Sequence, residues 1–215
     1  MNRRGILGLI GLSPLALAGF STPTNGLTAQ GKEDPILASL IKRWDSCKAY
    51  TQAIFEAMPA EDIEYAATEA QLSFAQHFLH IGFTNNMYIG VMLAKKTYKD
   101  FNALQHAPFF LERPDPINLF QPDQLQKRDP EANKALVIQY LTATFDYVIA
   151  SIHTLNDGML TQGADKVKPA FLSGHTNLDL ILRGETHTTH HRAQAIGYLR
   201  LKGIRPPAYT PFNTL

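Results

Sequence analysis

Eight histidines occur along the 215-residue chain, and three of them, His187, His190 and His191, fall within five positions. Neutral imidazole is a ligand for divalent transition metals. Residues four apart leave the same face of a helix one turn from each other. The His187/His191 pair can therefore bring two nitrogens to one ion at about 2.0–2.1 Å. Gly184, Ala195 and Tyr198 lie near the same stripe, and the small residues among them would leave room for an ion. His77 and His80 stand on a second amphipathic segment, where either could complete the set. Spacing chooses neither between those two nor between His190 and His191.

Two familiar metal chemistries are disfavoured. The H-E-x-x-H peptidase motif needs a glutamate directly after its first histidine, and Thr188 occupies that place. Glu185 lies two residues before His187 and so projects about 200° away around the helix. No E-x-x-H occurs anywhere in the chain, which argues against a ferritin-like di-iron site. Of the remaining histidines, His153 reads as a hydrogen-bonded core residue. His106 and His175 read as solvent-exposed loop residues.

The elements that must position these groups are helical. Asp34-Pro35 is a cap-and-proline start, and apolar residues at helical spacing run from Ile36 to Met58, where Pro59 ends the first helix. A second helix is expected from Ser73 to about Lys96, with Phe74, His77, Phe78, Ile81, Tyr88 and Met92 on its stripe and His80, Thr84, Met87 and Val91 beside it. Five prolines in the 23 residues from Pro108 to Pro130 exclude a long helix there. That stretch is a long crossover, with a short helix expected at Tyr98 to Gln105. A third helix starts at Asp129-Pro130 and runs to about Leu155. Its expected buried stripe is Leu136, Tyr140, Leu141, Thr144, Tyr147, Val148, Ser151, Ile152 and Leu155, and Asn156-Asp157-Gly158 stops it. A fourth helix spans Thr176 to Lys202 before Gly203 and Pro206-Pro207. No period-2 stretch competes. The expectation is an all-α domain over residues 30–215, a four-helix bundle of up-down type with its long crossover between the second and third helices.

Residues 1–29 read as a signal peptide and flexible leader. Arg3-Arg4 precede an apolar stretch to Ala18, and Ala16-Leu17-Ala18 fits a signal-peptidase site, with a second cut site after Ala29. A general secretory signal and a twin-arginine signal fit equally. The apolar core is too short and glycine-rich for a permanent anchor, and no other apolar run is long enough to cross a bilayer. The mature chain is thus expected to be extracytoplasmic, in the periplasm, without a stable membrane anchor. Twenty Lys+Arg against 19 Asp+Glu give a net charge of +1, without the basic excess of a nucleic-acid binder. The single cysteine, Cys47, excludes an intramolecular disulfide.

Three stretches of this sequence resemble the DinB-like four-helix-bundle family of candidate metal-dependent enzymes, which includes thiol-dependent S-transferases. They are Trp44 with Glu56-Ala57-Met58-Pro59-Ala60-Glu61-Asp62, then Ser73 to Ile81, and most specifically His187-Thr188-Thr189-His190-His191-Arg192-Ala193-Gln194 running on to Pro207. The resemblance spans residues 35 to 209. It implies metal ligation by His80, His187 and His191, with His77 and His190 as neighbours and Arg192 and Gln194 as helix-packing residues. Ala193 stands where the family has glycine, and its methyl would tighten packing or narrow the site. Three imidazoles leave coordination positions open, the pattern of a catalytic ion. The implied cofactor is a divalent metal ion, zinc, nickel or iron. The implied function is a metal-dependent hydrolase or thiol-type transferase acting on a small-molecule substrate. The alternative is a non-catalytic metal- or ligand-binding bundle. Export away from the reducing cytosol weakens the thiol-transferase branch. Bundle faces often dimerise, so a homodimer is compatible with this reading.

Overall fold

The computed structural model describes residues 34–212, and the expected leader at 1–29 lies outside them. Among the described residues there are six α-helices and no strand. They are α1 (Pro35–Glu56), α2 (Phe74–Leu93), α3 (Phe101–Gln105), α4 (Pro130–Ile152), α5 (Asp157–Leu160) and α6 (Asn177–Leu201).

Local chemistry sets most of these boundaries. Ser73 and Gln76 form a reciprocal capping box at the start of α2, and Thr176 and Asp179 form another at α6. The Asp129 carboxylate accepts from the Ala132 N–H at the start of α4. Gly203, at φ 73°, closes α6 in a Schellman turn, its N–H donating to Arg200 and that of Ile204 to Leu199. Asp34 departs from expectation. Its side chain does not cap α1 but accepts from the Asp157 N–H at 3.0 Å, tying α5 to the start of α1. Four helices end before the sequence estimate, α1 at Glu56, α2 at Leu93, α4 at Ile152 and α6 at Leu201, and α3 begins only at Phe101. Asn156, expected only as a stop, also caps the single turn of α5 through the Met159 N–H.

Cross-helix pairs give the directions. Lys48–Asp146, Gln52–Thr142 and Lys134 with the Glu56 carbonyl make α1 and α4 antiparallel. Arg43–Glu185 and Thr51–Arg192 make α1 and α6 parallel. His77–His191 and Arg183–Tyr88 make α2 and α6 antiparallel. It follows that α2 and α4 point the same way, which only the long 94–129 connection permits. Where α1 crosses α6, the Trp44 ring lies against Gly184, and a Cβ there would sit 3.1 Å from the indole. Gly184 therefore makes room for Trp44 rather than for an ion.

Helix α2 is buried on every side from Phe74 to Met92, between α4, α6 and the crossover. Its polar residues hold those neighbours. Gln76 Nε2 donates to the Asn118 and Gln121 carbonyls, and Asn86 bonds Phe109 and Leu111 through both ends of its amide. The crossover is closed on itself by a bidentate ion pair from Arg128 to the buried Asp115. Arg128 holds the Asp115 carboxyl below its usual range. One helix among the described residues, α4, has the length and apolarity to cross a membrane, against the expectation that no run beyond the leader is long enough. Its apolar face is occupied by α1 and α2. That face includes Val137 and Phe145, while Leu136, Tyr147 and Leu155 are only half-buried.

Candidate metal centre

The antiparallel register of α2 and α6 places His77 and His80 opposite His191 and His187. His80, His187 and His191 each offer a ring nitrogen, and these atoms all lie within 4.8 Å of one another. Centroid separations are 4.9 Å for His80–His187 and 4.5 Å for both His80–His191 and His187–His191. His80 Nε2 and His187 Nε2 are 3.2 Å apart. Two nitrogens sharing a tetrahedral ion at about 2.05 Å would be separated by about 3.3 Å, so the spacing already suits a common ion. Phe120, from the crossover, stands edge-on to His80 at 5.2 Å and covers that side.

Protonation follows from the surroundings. Burial pushes His77 and His80 down to about 4, helped at His77 by the charges of His80 and His190 and opposed at His80 by the Leu119 carbonyl. Burial and the neighbouring imidazoles take His187 down to about 3 and His191 to about 2, so all four rings are neutral at pH 7. Thr84 fixes which nitrogen of His187 carries the proton. The single hydroxyl hydrogen of Thr84 is directed to the His80 and Ile81 carbonyls at 2.9 and 3.0 Å. Its oxygen lone pair then accepts from His187 Nδ1, 3.0 Å away. Nε2 of His187 is left with a free lone pair facing His80. Fixing the tautomer through the far nitrogen is how metal-binding histidines are commonly oriented.

The remaining sequence candidates separate cleanly. His77 is buried, with Nδ1 3.0 Å from His191 Nδ1 and Nε2 without a hydrogen-bond partner. It is more than a neighbour, because His191 has no other hydrogen-bond partner among the described residues. His190 is exposed and accepts from Gln194 Nε2 at 2.7 Å. Ala193 is exposed, so its methyl neither narrows the histidine cluster nor packs a helix interface. Arg192 does pack, reaching Thr51 Oγ1 at 3.0 Å with its guanidinium 4.7 Å from the Tyr50 ring centroid. His153 is exposed just past the end of α4 rather than in the core. His106 is exposed as expected. His175, in contrast, is half-buried, donating from Nδ1 to the Ser173 carbonyl and accepting from Arg183 at Nε2.

Beside the cluster lies an open cleft of about 770 Å³, whose walls include Tyr88, His175, Arg183, His187 and His190. The sequence reading missed Thr84 as a partner of His187, and Arg183 and Tyr88 as cleft residues. A signal existed for two of them. Thr84 is four residues after His80, and Arg183 four before His187, each on the face of its histidine.

The chain matches the family model of the DinB superfamily over residues 43–195, a span that begins in α1 and ends in α6 and includes every histidine of the cluster. The protein belongs to the DinB superfamily. No curated protein and no solved structure matches it.

Proposed function

We propose that the protein is a metal-dependent hydrolase or transferase that holds one divalent ion, zinc, nickel or iron, through His80, His187 and His191. The observation that carries this is the convergence of three neutral imidazoles from two helices, with the His80 and His187 Nε2 atoms 3.2 Å apart. Two lone-pair nitrogens at that distance repel unless a proton or a cation lies between them. Burial keeps a second proton off either ring, so the gap holds either one imidazole's own N–H or a cation, and the donor set suits the borderline metals. The ion would supply an open position able to acidify water or to polarise a bound carbonyl. The chain's own residues do the rest. Thr84 holds the His187 proton on Nδ1, His77 steadies His191, and Phe120 shields His80 from bulk water. A bundle of up-down-down-up order, rather than the simple up-down alternation, supports the arrangement, because the long crossover delivers Phe120 and lets α2 run beside both α4 and α6.

We place the mature protein outside the cytoplasm on the strength of Arg3-Arg4, the apolar stretch and the Ala16-Leu17-Ala18 site. The partner is a small molecule entering by the cleft. The test is turnover of metal-restored protein against esters, amides and thiol conjugates. Metal-dependent turnover of any class supports the enzyme; binding of metal with no turnover across the set favours the non-catalytic bundle.

A further inference from the structure

We propose that the cleft beside the histidines is an anion subsite, in which Arg183 binds a carboxylate group of the substrate. The inference rests on the metal-site reading above and adds the substrate class, a small organic acid.

Arg183 is on the face of α6 that carries His187, one turn earlier, and it lines the cleft together with that histidine. Its guanidinium is held by an imidazole and a phenol. Nη1 donates to His175 Nε2 at 2.9 Å and Nε approaches the Tyr88 hydroxyl at 3.4 Å, with Cζ 5.8 Å from the Tyr88 ring centroid. Tyr88 is 5% exposed and so forms a fixed wall. His175 is itself oriented, because Nδ1 donates to the Ser173 carbonyl and leaves Nε2 as the acceptor. No carboxylate of the described residues lies within ion-pair distance of Arg183. Asp179, the acid lining the cleft, uses Oδ2 to accept from the Thr176 N–H at 2.8 Å and hydroxyl at 2.7 Å. The result is an exposed guanidinium, oriented by two side chains and without a direct ion-pair partner among the described residues, opening on a cavity large enough for a small organic molecule. Arginine presents a planar donor fork that matches a carboxylate. Side chains four apart on a helix begin about 5–6 Å from one another. A carboxylate on Arg183 would therefore leave the other end of a short acid beside His187.

The test is a chemical-shift titration of metal-free protein with benzoate and, as the neutral isostere, benzamide. Removing the metal prevents benzoate from binding through an ion. The expected result is that benzoate binds at the cleft, that benzamide binds at least tenfold more weakly, and that high salt weakens only benzoate. Arg183→Gln can still hydrogen-bond His175 but lacks the charge, and it should weaken benzoate about tenfold or more. Arg183→Lys should retain part of the affinity. Arg200→Gln, at an exposed position on the last turn of α6, should behave as the parent. No benzoate binding by the parent, equal binding of benzamide, or full affinity in Arg183→Gln would each overturn the proposal. Metal uptake measured on the same preparation separates the two readings. Benzoate binding in a chain that takes up no metal sinks the metal centre but supports the subsite. Metal uptake without benzoate binding sinks the subsite alone.

Discussion

Replacing Thr84 by valine removes one buried oxygen at nearly constant volume. Thr84 is 3% exposed, and its Oγ1 lies 3.0 Å from His187 Nδ1. In the variant His187 Nδ1–H would face a methyl group, and the ring would lose the contact that keeps its Nε2 lone pair turned towards His80. Loss of such an outer hydrogen bond costs about 10–100-fold in metal affinity, or about 1.4–2.7 kcal/mol. The fold should change little, because the His80 and Ile81 carbonyls keep their helical partners when the hydroxyl goes. The assay is competition for zinc against a chelator of known affinity, with thermal unfolding followed in parallel. Thr84→Val should bind zinc at least tenfold more weakly while melting near the parent. Thr84→Ser, which keeps the hydroxyl, should restore most of the affinity. Affinity within twofold of the parent in Thr84→Val would refute the tautomer argument. Equal losses in the serine and valine variants would assign the effect to the methyl group.

His77→Ala should weaken zinc binding by about tenfold, since His191 loses its hydrogen-bond partner, whereas exposed His190→Ala should bind as the parent does, both read by the same competition. Gly184→Val should lower the melting temperature, because a Cβ already comes within 3.1 Å of the Trp44 ring and overpacking of this kind costs about 1–3 kcal/mol. Arg128 holds the folded Asp115 carboxyl below its unfolded pKa, so the pair's stabilisation is fully present above about pH 4 and is lost as pH falls through the lower folded value. Thermal melts from pH 5 downwards should thus fall less steeply for Asp115→Asn than for the parent, and parallel curves would count against the assignment.

The all-helical fold could be read from the sequence because its punctuation is local. Capping boxes at Ser73 and Thr176, proline after Asp129 and glycine at Gly203 act within a few residues of themselves. The errors arise where tertiary contact decides. Asp34 was claimed by Asp157 from elsewhere in the chain, and the buried face of α4 was widened to Val137 and Phe145 by its packing against two helices. His153 has no core to enter because α4 ends one residue before it. The His187/His191 pair was legible as an i,i+4 spacing. The choice of His80 over His77 depends on the register between α2 and α6, which no single-helix periodicity encodes. The same register brings Thr84 to His187 and Tyr88 to Arg183. Those contacts join residues about a hundred positions apart, and only the folded chain shows them.

The central claim is tested most directly by metal content per chain, measured by elemental mass spectrometry on folded parent protein and on His80→Ala, His187→Ala and His191→Ala after incubation with zinc. The account predicts one tightly held ion in the parent and its loss in each of the three variants. A parent that takes up none, or a His80→Ala protein that stays fully loaded while His77→Ala empties, would contradict it.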